Sequence, residues 1–167
     1  MSQPNLPLAP REPGGSMQAK RIALIACSGT KLDRAAPARD LYVGDLFQMS
    51  WTYTERHRPP YDAVRILSAR HGLVAPLDMI APYDEQLPRD TRKSVPWAKL
   101  VVNQMTAHWG ANAELILTFL AGAAYREPLV AEIERREELA WTWTSPLAGM
   151  GIGSQKHWLK SNTPSGA

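Results

Sequence analysis

Cys27-Ser28-Gly29-Thr30-Lys31 gathers a thiol, two hydroxyls and an ammonium group into one short stretch. On a tight turn, its amides, hydroxyls and Lys31 would hold a phosphate or the edge of a base. Its glycine spacing is not that of a P-loop. The ordinary alternative is a plain strand-to-helix turn with Cys27 as a small buried hydrophobe. No paired base is apparent that would make Cys27 a nucleophile. Further along, "ILSARHGLVAPLDMIAPYDEQL" (66–87) sets His71, Asp78, Tyr83, Asp84 and Glu85 among prolines. His71 would protonate a leaving group or orient a water, or else bond loop backbone. A carboxylate facing an electron-deficient sugar stabilises an oxocarbenium ion or activates water. Asp84 is the preferred candidate for that role, turn capping being its ordinary alternative. Tyr83 would stack on a base. Gly122 in "AGAAY" lets backbone approach a ligand closely, with Tyr125 aimed into the same cleft. "GMGIGSQ" places Gly151 and Gly153 in a phosphate-contacting loop that opens onto the helix of Gln155.

These loops need strands to carry them. "RIALIACS", "AVRILSA" and "AELILTFLAG" are short apolar runs suited to buried parallel strands, and "LAWTWTSPL" alternates like a fourth strand. Between them, Leu41, Tyr42, Leu46, Phe47, Met49 and Tyr53 space like one apolar helix face, with Asp40 as its cap. "DTRKSVPWAKLVVNQMTAHWG" predicts a helix ended by Gly110, and "AAYREPLVAEIERREE" and "GSQKHWLKS" predict two more. The stretch from His71 to about Arg89 reads as loop. Strand and helix alternate, which predicts an α/β domain with a mostly parallel central sheet. Ligands of such sheets bind beyond the carboxyl ends of the strands. The "CSGTK", "ARHGLVAPLDMIAPYD", "AGAAY" and "GMGIGSQ" loops all fall there.

The chain of 167 residues, with 44% apolar and 21% charged content, supports one domain with a real core. Residues 1–18 are expected to be a disordered arm, 19–160 the domain and 161–167 a loose tail. No apolar run is long enough for a membrane span, and the start lacks the apolar segment of a signal peptide. One cysteine, Cys27, excludes an intrachain disulfide and suits a reducing cytoplasm. His57, His71, His108 and His157 show no metal-ligand spacing, so no metal is expected, nor any other cofactor. Net charge of +3 with a pI near 9.2 tilts towards polyanionic partners. The oligomeric state is not readable.

"ACSGTKLD", "LYVGDLF", "ILSARHGLVAPLDMIAPYDEQL", "LAGAAYREPL" and "PLAGMGIGSQKHWL" together resemble a family of small bacterial and phage domains of unknown function related to the YaaA-type peroxide-stress proteins. The resemblance covers about residues 20–160. Cys27-Ser28 stands where YaaA-type proteins have Ser-Pro, and His71 where Tyr is usual. YaaA-type proteins are longer and bind DNA, so the resemblance implies nucleic acid, DNA before RNA, or a nucleotide as partner. The "CSGTK" turn is also similar to one in archaeosine synthases, which modify a tRNA base.

The resulting expectation is N-glycosidic chemistry on a DNA base, in the manner of a DNA glycosylase. The base would be extruded into the cleft at a cost of a few kcal/mol, roughly, and stacked on Tyr42, Phe47, Tyr83 or Tyr125. Cys27, Ser28, Thr30 and Lys31 would hold phosphate or base, Asp84 would support the cation, and His71 would serve the leaving base. Lys31 as a Schiff-base nucleophile fits a strand-cleaving variant of the same enzyme. Lys31, His71 and Asp84 should then face one open cleft. The competing expectations are a DNA-binding stress protein without catalysis and a nucleotide-binding module.

Overall fold

The apolar run after Lys20 folds as expected. The computed structural model describes residues 18–166, and β1 (Lys20–Ala26) is its central strand. Ile22 and Leu24 point to one face and Ile25 to the other, all essentially unexposed, so this strand is buried on both sides. The next elements in the chain are β2 (Ala36–Pro37), α1 (Ala38–Leu41) and α2 (Asp45–Arg56), then β3 (Ala63–Ser68). The chain continues through β4 (Gly72–Val74), β5 (Met79–Ile80), a single 3-10 turn (Thr91–Ser94) and α3 (Val95–Trp109). It finishes with β6 (Leu115–Leu120), α4 (Ala123–Arg135), β7 (Trp141–Thr144) and α5 (Ile152–Asn162).

The main sheet has the order β4-β3-β1-β6-β7. β1 pairs in parallel with β3 and with β6, and β7 adds in parallel to β6. The protein is therefore a mixed α/β single domain with a mostly parallel central sheet and flanking helices. α3 and α4 cover one face, packing on Ile22, Leu24, Leu117 and Phe119. α2 and α5 cover the other, where Phe47, Tyr53 and Leu159 meet Ile25, Ile66 and Leu120. From β1 the chain moves one way to β3, and later crosses to β6 on β1's other side. That reversal leaves a crevice between the carboxyl ends of β1 and β6, the place where open α/β sheets bind ligands.

Three expectations are corrected. The stretch after His71 is not all loop: Gly72 takes a left-handed φ of 74°, and β4 turns back antiparallel on β3, closing that sheet edge. The helix expected from Asp40 is split, because Val43 donates to the Thr30 carbonyl and Tyr42 bridges Lys31. α2 therefore begins at Asp45 with Gly44 rather than Asp40 at its cap. The loose tail starts later than expected, since α5 runs to Asn162. The N-terminal arm lies outside the described residues except for Gln18.

Candidate functional site

At the end of β1 the Cys27 amide donates to the Leu67 carbonyl at 2.9 Å, carrying the strand's direction into the turn. Ser28 Oγ then accepts from the amides of Thr30 and Gly44, both at 3.1 Å. Gly44 is required here: a Cβ at that position would collide with the Ser28 side chain. The result is a cleft of about 240 Å³ between the ends of β1 and β6. Cys27, Ser28 and Gly29 line its β1 side and Ala121 and Gly122 its β6 side; Gly44, Leu46, Phe47 and Ser50 come from α2, and Gln155 from α5. None of the lining residues carries a charge. Two helix N-termini open onto it, α2 at Gly44 and α4 at Gly122, and no side chain caps either.

On the other side of β1, towards β3, side chains satisfy one another. Ser68, fully buried, shares a 2.6 Å hydrogen bond with Tyr83 Oη and accepts from the His71 amide at 3.0 Å. Tyr83 Oη in turn shares one of 2.7 Å with Tyr42 Oη. The Ser68 carbonyl accepts from Trp97 Nε1 at 2.8 Å, which ties this chain of hydroxyls to α3. Lys31 Nζ lies 4.4 Å from the centre of the Tyr83 ring, a cation–π contact, and the His71 ring meets the same tyrosine edge-on at 5.4 Å. Tyr125 Oη is 3.5 Å from Cys27 Sγ, linking the two halves.

Burial is the largest cause of the raised phenol pKa of Tyr42, Tyr83 and Tyr125. At neutral pH the three phenols of this wall therefore remain O–H groups. The wall suits a polar, uncharged ligand edge, whereas the amide-lined cleft suits an anion.

Cys27, Ser28, Phe47, Gly122 and Gln155 come together in the cleft as expected of a site. Lys31 and His71 also converge, but on Tyr83 and outside the cleft lining. Asp84 does not join them. It is exposed and makes no hydrogen bond or ion pair among the described residues, although its loop is pinned on both sides. Tyr83 holds one flank; Gln86 packs against Gly29 and the Leu87 amide lies at the Tyr125 hydroxyl on the other. Thr30 contributes its backbone, donating to Ser28 and accepting from Val43.

Tyr42 is fully buried and Phe47 is 3% exposed, so neither offers a ring face to a base. Gly151 caps α5, and Gly153, already inside that helix, faces a separate groove with Met150, His157 and Trp158. Neither glycine of the expected phosphate-contacting loop lines the cleft, and the helix starts before the second of them, leaving Gln155 as the cleft residue of this stretch. Among the described residues no group of three His, Cys, Asp or Glu side chains is placed to hold a metal. Ser50, Ser68 and Gly44 were not singled out from sequence. A serine among the apolar positions of α2 was the available signal for Ser50, and a glycine just before a helix start for Gly44.

The family model described as "Family of unknown function (DUF6884)" matches residues 22–161, which spans β1 through most of α5 and includes every residue of the cleft. The chain belongs to DUF6884. No curated protein and no solved structure matches it significantly. Among the described residues, no helix of this DUF6884 chain is long and apolar enough to cross a membrane.

Proposed function

We propose that the protein acts on nucleotides, in DNA before RNA or free, and breaks the N-glycosidic bond of a base at the carboxyl ends of β1, β3 and β6. The observation that carries this reading is the pinning of the Asp84 loop across the β1 turn, between Tyr83 and Gln86. It holds both flanks of a loop whose exposed carboxylate, Asp84, has no hydrogen-bond or ion-pair partner among the described residues and follows Tyr83 of the phenol wall in the chain. In the step itself the C1′–N bond breaks and Asp84 stabilises the sugar cation. Water adds to C1′ and passes its proton to Asp84, while His71 gives a proton to the departing base and is reprotonated from solvent. The amides of the Cys27–Lys31 turn, with Lys31 beside them, hold the anionic part of the substrate, and Tyr83 and Tyr125 contact the base. The likeness of the "ILSARHGLVAPLDMIAPYDEQL" stretch to YaaA-type proteins supports a nucleic-acid partner, and the lone cysteine suits the cytoplasm.

The test is incubation with DNA carrying a panel of modified bases, scored for abasic sites and free base. Wild type should release at least one base, and Asp84→Asn should keep fold and affinity while losing release. No release from any substrate, or equal release by the variant, overturns the assignment. A module that binds nucleotides without chemistry is the second reading, favoured by a cleft lined by no basic side chain. It predicts binding that changes little with salt, whereas contact with a DNA backbone weakens steeply.

A further inference from the structure

The deepest polar group in the switch-point cleft is Ser50. It is 1% exposed, lines the cleft from α2, and its hydroxyl makes no side-chain hydrogen bond among the described residues. A hydroxyl this deep that faces a cleft with no protein partner is open to a hydrogen bond from whatever occupies the cleft, water or ligand. Around it stand the uncapped first turns of α2 and α4, helices of 12 and 13 residues, each presenting free amides. Ser28 Oγ already accepts from two amides, which leaves its own O–H proton to donate into the cleft. These groups can all donate, Gln155 on the α5 side gives its Nε2 to the Met150 carbonyl, and the only cysteine of the chain stands among them.

We infer that this cleft is a subsite for a terminal phosphate, a phosphomonoester such as the 5′-phosphate of a nucleotide or of a nucleic-acid end. It deepens the nucleotide reading above and rests on the same strand ends. The volume of about 240 Å³ lies below the range of roughly 300–1,000 Å³ that encloses a whole drug-sized ligand. It therefore takes a head group and leaves sugar and base outside, towards Tyr83 and Tyr125. An internal phosphodiester needs an open channel for chain on both sides. This cleft is instead lined on separate sides by the β1 turn, α2, the β6 end and Gln155 of α5. Each helix N-terminus supplies about half a positive charge, that of α2 partly offset by Asp45 in its first turn and that of α4 not, and phosphate oxygens accept from amides and hydroxyls alike. A phosphomonoester carries about −1.5 to −2 charge at neutral pH, so it gains more there than a diester does.

The probes are inorganic phosphate, adenosine 5′-monophosphate, dimethyl phosphate and adenosine, each added to the full chain. Alkylation of Cys27 by iodoacetamide reports occupancy, because that thiol lines the cleft. Phosphate or adenosine 5′-monophosphate at about ten times its dissociation constant should slow labelling about tenfold and raise Tm. Dimethyl phosphate and adenosine should do neither. Binding should weaken between about pH 7 and pH 5, as the phosphate takes its second proton near pH 6.

Gly122→Asp supplies the control, since a Cβ there meets no atom within 4 Å and the new carboxylate caps α4 itself. It should fold with equal or higher Tm and lose phosphate affinity by about tenfold or more. Ser50→Ala should lose affinity as well, which covers the case of a misfolded Gly122→Asp. Unchanged labelling with both phosphate probes, equal protection by dimethyl phosphate, or full affinity in a folded Gly122→Asp protein overturns the subsite. Phosphate protection without release of any base leaves the subsite standing and removes the glycosidic reading; base release without phosphate protection does the reverse.

Discussion

On the β6 side of β1, main-chain amides and serine hydroxyls with hydrogen-bonding capacity to spare face the cleft, beside Cys27 and Gln155. On the β3 side, Ser68, Tyr83 and Tyr42 already spend theirs on one another. The first half is built by where the backbone goes, so its chemistry survives many side-chain changes and fails when a helix start is blocked. The second is built by side chains and fails when one member is removed. One half is free to bind, and the other holds the Asp84 loop in place.

Tyr83→Ala should produce the largest effect that separates them. It removes a half-buried ring lying between Lys31 and His71 and strands the hydroxyls of Ser68 and Tyr42. A loss of about 3 kcal/mol in urea unfolding is expected, with phosphate protection of Cys27 retained. A loss under about 1 kcal/mol would show that the hydroxyl half is no more interlocked than the amide half. Ser68→Ala comes next, at about 2 kcal/mol, because the His71 amide and the Tyr83 hydroxyl lose a buried partner together. Its reading is the urea midpoint at unchanged slope. In the amide half the sign should reverse. Gly122→Asp is expected to stabilise by about 0.5 kcal/mol, seen as a rise of a degree or two, roughly, in Tm.

The smallest effect at ordinary pH belongs to the phenols. Burial raises Tyr42, Tyr83 and Tyr125 above the ordinary tyrosine value of 10.0, so the unfolded chain gives up these protons first. Their contribution is fully present below pH 10 and is lost as pH rises through 10 towards the folded values. Phenolate absorbance should lag behind that of free tyrosine above pH 10 and catch up on unfolding. In Tyr83→Phe the fall of stability above pH 10 should be shallower; an identical fall would place the effect elsewhere.

The parallel strands were legible in sequence because runs such as "RIALIA" and "LILTFL" have to be apolar on both faces. The helix after β1 was legible in its face but not in its start, since the Lys31–Tyr42 bridge that displaces it is a long-range backbone event. β4 was missed because three residues turned by one left-handed glycine leave no periodicity. In the site, residues on the β1 turn and at the β6 end were found from their position after strands. Ser50 and Ser68 were not, because in both cases a polar side chain sits on the buried side of its element and matters only through what lies opposite. Tyr42 and Phe47 were expected to face a base because exposure cannot be read from residue type.

The glycine at the start of α2 has a consequence for how this molecule can change over time. Gly44 admits the Ser28 side chain into the space a Cβ would occupy, and so holds the first turn of the helix against the end of β1. A lineage that keeps this contact and the bare start of α4 keeps an anion-receptive crevice, whatever it does to the tyrosines. New specificities would then arise by rewriting the Pro82–Pro88 rim, with the crevice inherited unchanged.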